Sequence, residues 1–370
     1  MSEYLLISGD SHFVEPPNMW AERMDKKFRD RAPHTVKNLN GKEGEFFVCA
    51  DIAPMPVAGF FGAGVPSQEL PAFNKKGFEA APQSVWDAAY RLKDQDRDGV
   101  EAEVIYTSMG MPLFQLDDAE LRAACFAAFN DWAAEYCSYD FKRLVPLGLI
   151  TLEDIPAAVA ELQRVAKKGI RGAMIWAEPA SDHPYSDAEY EPFWAAAQDL
   201  KMPLSLHVLT NRGGGNVAPA RKDMLLRLAN MHHAVERTLT TLIYGGVLEK
   251  FPKLKIVSAE NDAGWMAYFM YRLDTVQNRL GALGGMKLPL RASEYIRRQV
   301  YATFIADPVF VDSLHRYPAD NIMWSSDYPH TAATFPRSRE IVAKRLGMVP
   351  PDQLRKIVRD TSAKLYGLDS

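Results

Sequence analysis

The sequence predicts an α/β fold, a closed (β/α)8 TIM barrel with a long loop region inserted after the first strand. Three observations carry that reading. Eight short apolar, β-rich runs alternate with helical patterns, the signature of parallel βαβ units. Polar residues capable of binding a metal end several of these runs, as they do at the C-terminal face of such a barrel. No Gly-x-Gly-x-x-Gly turn follows the first run, which argues against a doubly wound open sheet. One domain spanning 1–370 accounts for the whole chain.

The elements follow in order. The first run, 4–10, ends at Asp10-Ser11-His12, and Glu15-Pro16-Pro17 then breaks the strand. In an extended chain Asp10 and His12 point to the same side. Residues 30–85 are rich in Gly and Pro and show no sustained period of 2 or 3.6. Loops of this length serve as lids or binding loops. The aromatic and Met content here (Phe46, Phe47, Met55, Phe60, Phe61, Phe73) marks the region as an active-site loop insertion.

A helix runs from Trp86 through Leu92 and stops at Gly99. Strands are expected at 103–108, 144–150, 171–176, 203–208, 255–260, 300–305 and 322–327. Helices are expected at 115–140, 153–168, 219–250, 262–281, 307–316 and from 335 onward. In the second of these, Ile155, Val159, Leu162 and Val165 share one face, and Gly169 ends it. Ser186 and Glu189 have the spacing of a capping box, although Pro192 can move the helix start later.

Composition removes several function classes. The net charge of −4 and pI near 6.1 give no footprint for nucleic acid and no polybasic membrane signal. No apolar run reaches transmembrane length, so the expectation is a cytoplasmic protein acting on a small molecule, with homo-oligomerisation left open. Cys49, Cys125 and Cys137 are widely spaced and form no CxxC, so neither a disulfide framework nor a thiolate metal site is indicated.

The chemistry lies at the strand ends. The first strand supplies Asp10 and His12, the fifth His207, the sixth Glu260 and the eighth Asp327. Barrel closure brings these ends together on one face. Two imidazoles with two or three carboxylates make a ligand set for Zn²⁺, Mn²⁺ or Fe²⁺, with one ion expected and room for a second.

Five segments carry a resemblance: GDSHFVEPP at 9–17, RLKDQDRDGVEAEVIYTS at 91–108, PLSLH at 203–207, GGVLEKFPKLKIVSAENDAGW at 245–265 and SSDYPH at 325–330. With these the chain resembles the amidohydrolase superfamily, in the branch that includes aminocarboxymuconate-semialdehyde decarboxylase and γ-resorcylate decarboxylase. The resemblance implies a single catalytic metal held by Asp10, His12, His207 and Asp327. Asp10 stands where the family usually has His or Glu. Glu260 stands where the decarboxylases carry a His.

That second departure sets the functional expectation. A Glu is a good metal ligand or water anchor but a poor acid at neutral pH. The expected activity is therefore a metal-dependent hydrolase acting on an ester, thioester or amide, with Asp327 and Glu260 as catalytic groups. The metal would bring the pKa of a bound water toward roughly 7. The alternative is metal-dependent non-oxidative decarboxylation of an aromatic or unsaturated acid. Candidates for substrate contact are His330 and Tyr328 after strand eight, Trp176 at the end of strand four, and Arg212 beside Gly213–Gly215. His233, in the pair His232-His233, reads either as a solvated or capping residue or as a substrate contact.

Overall fold

A computed structural model describes residues 5–212, 225–226, 228–285, 287–317 and 319–369. The Gly213–Gly215 run and part of the expected 219–250 helix lie outside the described residues. Parallel ladders join β1 (Leu6–His12), β5 (Val100–Tyr106) and β6 (Leu144–Pro146). A second parallel series runs β7 (Gly148–Leu149), β8 (Ala173–Ile175), β9 (Leu204–His207), β10 (Ile256–Ala259), β11 (Val300–Phe304) and β12 (Ile322–Trp324). β6 and β7 are two halves of the third barrel strand. Leu147, between them, donates its N–H to Ile105, and Gly148 donates to Gly172, so the strand changes partner at this point.

The other seam lies between the first and last barrel strands. Asp327 donates its N–H to the Asp10 carbonyl at 3.1 Å, and His12 donates to the Tyr328 carbonyl at 2.7 Å. Gly9 permits this approach, because a Cβ there would lie 2.8 Å from Cβ of Met323. The eight barrel strands thus form the expected TIM-type fold, and their ends meet.

Helix limits follow local chemistry. Asp87, Asp118, Asp154 and Asp307 each cap a helix by accepting a backbone N–H in its first turn. Ser186 does not; the helix Glu191–Asp199 starts later, with a proline in its first turn. Ile155, Leu162 and Val165 are buried as their spacing predicts, while Val159 is half-buried and Ala158 takes its place inside. Among the described residues, no helix is long and apolar enough to cross a membrane.

The 30–85 region departs from the expected irregular loop. It contains an antiparallel sheet of β2 (His34–Leu39), β3 (Lys42–Cys49) and β4 (Ile52–Pro56). Asn40 and Gly41, both with positive φ (52° and 74°), make the two-residue turn between β2 and β3. Such a turn matches the twist of a hairpin. Phe47 and Cys49 of β3 are buried, with the Phe47 ring 5.7 Å from that of Trp20. The region then reaches the C-terminal face of the barrel. Thr331 donates its N–H to Gly59, Ala63 donates to Pro329, and the Phe60 ring lies 5.5 Å from that of His330.

Candidate metal centre

His12, last in β1, and His207, last in β9, turn their Nε2 atoms to a common point. Each orientation is fixed from behind. Nδ1 of His12 lies 2.9 Å from the Thr107 carbonyl, and Nδ1 of His207 lies 3.0 Å from the Val208 carbonyl. A carbonyl only accepts, so each Nδ1 carries a proton and each Nε2 is the nitrogen left to bind a metal.

Around these atoms stand three carboxylates. Asp10 Oδ1 and Asp327 Oδ1 each lie 3.4 Å from Nε2 of His12, and Glu260 Oε2 lies 3.3 Å from Nε2 of His207. Asp10, His12 and His207 each offer a donor atom, all within 4.8 Å of one another, as do His12, Asp327 and His330. Asp10 Oδ1, His12 Nε2, His207 Nε2 and Asp327 Oδ1 are buried and have no hydrogen-bond partner. Orphaned polar atoms are costly. Four aimed at one point, two carboxylate oxygens and two imidazole nitrogens, fit a divalent cation.

Charge within the cluster is unbalanced. Burial and the charge of Glu260 hold Asp327 well above the usual carboxylate range. Burial opposes ionisation of Glu260, yet His12 and His207 keep it at about 2. Burial pulls His207 down, but Asp10 and Glu260 more than offset this and push it up to about 9. Three carboxylates around two imidazoles favour a bound cation.

The backbone is bent to deliver these groups. Glu260 and Asp327, each just past its strand, have φ of 55° and 59°. For residues with a side chain this conformation costs about 1–3 kcal/mol each and clusters at functional sites. Thr303 of β11 supports one of them. It accepts the Glu260 N–H at 2.8 Å and donates its hydroxyl to Asp10 Oδ2 at 3.0 Å, leaving Asp10 Oδ1 facing the cluster.

Arg91 supports the other seam. Fully buried, it donates to the carbonyls of His12 (2.8 Å) and Tyr328 (3.3 Å) and pairs with Glu103 (2.7 Å). It thereby ties together the two segments that carry His12 and Asp327. Glu15 is buried beside them and accepts from the Thr107 hydroxyl and the N–H groups of Met109 and Gly110. It anchors the loop whose Thr107 carbonyl orients His12.

Of the residues expected to touch substrate, His330 is at the cluster. Its ring stacks on His12 at 3.9 Å, its Nδ1 lies 2.9 Å from Asp327 Oδ1, and its Nε2 lies 2.8 Å from Ser108 Oγ. Burial drives its pKa down to about 4.

The other four are engaged with other groups. Tyr328 turns its hydroxyl to Ser84 and Asp94, and its ring lies under Arg91. Trp176 donates its indole N–H to the Phe114 carbonyl, and the guanidinium groups of Arg122 and Arg212 each lie 5.2 Å from its ring. Arg212 pairs with Glu153. His233 is exposed and pairs with Glu236 at 2.9 Å. Strand-end position alone does not reveal which way a side chain turns.

The model of the family described as Amidohydrolase matches residues 33–368. The chain belongs to this amidohydrolase family. Among curated relatives, it is 28% identical over 217 residues to decarboxylase orsB of Emericella nidulans, covering 56% of this chain and 65% of that one. It is 24% identical over 340 residues to γ-resorcylate decarboxylase of Polaromonas sp., covering 87% of this chain and 100% of that one. Among solved structures, an amidohydrolase from Mycobacterium avium subsp. paratuberculosis superposes with a TM-score of 0.81 at 22% identity, over 99% of each chain. A dihydroxybenzoic acid decarboxylase from Polaromonas sp., with bound manganese and an inhibitor, gives a TM-score of 0.68 at 18% identity, over 99% of this chain and 98% of that one.

These relatives overturn the hydrolase expectation. Both curated relatives and the manganese-bound neighbour are named decarboxylases, and Glu260 is a single substituted position that does not outweigh them.

Proposed function

We propose that this amidohydrolase is a metal-dependent non-oxidative decarboxylase of a hydroxybenzoate-type aromatic acid. The carrying observation is the convergence of four orphaned donor atoms, on Asp10, His12, His207 and Asp327, in a chain whose relatives are decarboxylases. These four residues, with Glu260 beside them, would hold one divalent ion. Mn²⁺ is the first choice among Zn²⁺, Mn²⁺ and Fe²⁺, because a carboxylate-rich set suits a harder ion and a structural neighbour holds manganese. When bound, the ion supplies positive charge that draws in the substrate carboxylate and an adjacent hydroxyl oxygen.

The protein's own task is to exclude water and move one proton. When CO₂ leaves, the electrons of the broken carbon–carbon bond remain on the ring carbon, which must take a proton. We assign delivery to Asp327, whose Oδ1 faces the cluster and lies 2.9 Å from His330 Nδ1, the His330 ring being held in turn by Ser108. Glu260, ionised between the two imidazoles, holds charge and position instead of donating. Phe60 and the 58–63 segment close over His330 and restrict solvent.

The test is a panel of hydroxybenzoates turned over in D₂O by metal-loaded protein. The proposal expects CO₂ and a product bearing one deuterium at the vacated carbon, read by NMR. No product from any member of the panel, with one metal bound per chain, would reject it.

A further inference from the structure

We propose that the N-terminal face of the barrel, opposite the metal centre, carries a separate site for a multiply charged phosphate group. A groove of about 970 Å³ opens there between the strand starts and the C-terminal helix Thr361–Tyr366. Its lining includes eight cationic side chains (Arg171, Lys201, Lys253, Lys255, Arg297, Arg298, Lys356 and Lys364) and two acids, Asp320 and Asp360. The chain as a whole is acidic, at −4, so this face concentrates charge against the average.

The two acids do not balance it. Asp320 is taken up by Lys356 at 2.7 Å, and Asp360 by Arg355 at 3.0 Å and Arg359 at 3.3 Å. Glu249, from outside the groove, comes no closer to Arg298 than 3.7 Å. Among the described residues, no carboxylate pairs with Arg171, Lys201, Lys253, Lys255, Arg297 or Lys364.

Neutral carbonyls hold several of these cations in place instead. Arg171 donates to Tyr366 and Gly367, Arg297 to Arg316, Arg298 to Leu248, and Lys255 to Arg298, at 2.6–3.1 Å. A carbonyl fixes a cation's position without cancelling its charge. Helix C-termini converge on this face and carry about half a negative charge each.

Lys255 bears the clearest cost. It is half-buried, and burial together with the charges of Arg298 and Lys364 lowers its pKa. An ammonium has three donors, and one bond to a carbonyl leaves two for a ligand. Fixed, crowded, unpaired cations in a groove are the chemistry that recognises a phosphate dianion or diphosphate.

The experiment titrates pyrophosphate and, separately, ADP into the metal-loaded protein by calorimetry at constant ionic strength. The expected result is one saturable site per chain that weakens with added salt. Binding should fall tenfold or more in the double variant Lys255→Gln/Lys364→Gln, and by a smaller factor in Lys364→Gln alone, at an exposed position. Thermal melting of each variant checks that it is folded. His207→Ala should bind pyrophosphate within twofold of the parent, which separates this site from chelation at the metal centre. Tighter binding of ADP would assign the site to a nucleotide; equal binding would assign it to the phosphates alone. No saturable binding, binding unchanged in the double variant, or binding lost in His207→Ala would overturn the proposal.

Discussion

The two ends of the barrel both crowd like charges, but they do so with opposite sign and different bonding. At the C-terminal face, donor atoms of Asp10, Asp327, His12 and His207 are buried without a hydrogen bond, and His330 Nδ1 lies 2.9 Å from Asp327 Oδ1. At the N-terminal face, cations lie in an open groove and are tethered by carbonyls. Buried orphans are the more costly arrangement, because neither water nor protein compensates them. The metal centre should therefore depend strongly on its ligand, and the groove only weakly.

The largest expected effect lies at the centre. His12→Ala or His207→Ala should remove bound metal and lower turnover about 10³-fold or more, since several kcal/mol of charge stabilisation are lost. Metal analysis of the purified variants checks this, and full metal with full activity in both would refute the ligand assignment. Because imidazole and carboxylate bind metal only when deprotonated, affinity in the parent should also fall on acidification.

Next comes Arg91. Replacing it with Met leaves Glu103 buried without its cation, with Gln95 still donating to it, which costs about 3–5 kcal/mol. It also unties the His12 and Tyr328 segments. Denaturant unfolding should register the loss, and metal affinity should fall with it. Unchanged affinity would mean that the seam holds without this residue.

Thr303→Val is milder. It removes the hydroxyl that joins Glu260 to Asp10 and should weaken metal binding by about 10–100-fold, the usual scale for groups that orient ligands. A competition titration with a metal-binding dye reads this directly.

The smallest effect belongs to the opposite face. Lys255 has a pKa below the ordinary lysine value of 10.5, pressed by burial, Arg298 and Lys364. A lysine lowered on folding costs stability while it is charged in both states, below its folded pKa. That cost is relieved as pH rises through the folded pKa toward 10.5. Lys255→Gln should therefore melt slightly higher than the parent at pH 7, with the advantage disappearing above about pH 10.5. A variant that melts lower at neutral pH would show that the tether to Arg298 outweighs the crowding.

Much of this was legible in the sequence because it depends on strand position. Asp10, His12, His207, Glu260 and Asp327 all end apolar runs, and closing one sheet brings such ends together. The supporting groups were harder to see. Arg91 reads as one charge among many on a helix, and Thr303 as a polar residue inside a β-rich run. Their roles depend on partners more than two hundred residues away. The β2–β3 hairpin leaves a local signal in Asn40-Gly41, set within a region that as a whole lacks periodicity. Tyr328 and Trp176 stand where expected, and only the packing around them reveals which way they face. Reaction type was the least legible, since one Glu in place of His does not decide between water attack and loss of CO₂.

The central claim is that the carboxylate–imidazole cluster releases CO₂ only with its metal. The direct test uses hydroxybenzoates carrying a ¹³C-labelled carboxyl group, with labelled CO₂ followed by mass spectrometry. Manganese-loaded protein should release ¹³CO₂, chelation should stop it, and readdition of Mn²⁺ should restore it. Release that continues undiminished in the fully chelated protein, or no release from protein holding one ion per chain, would contradict the account.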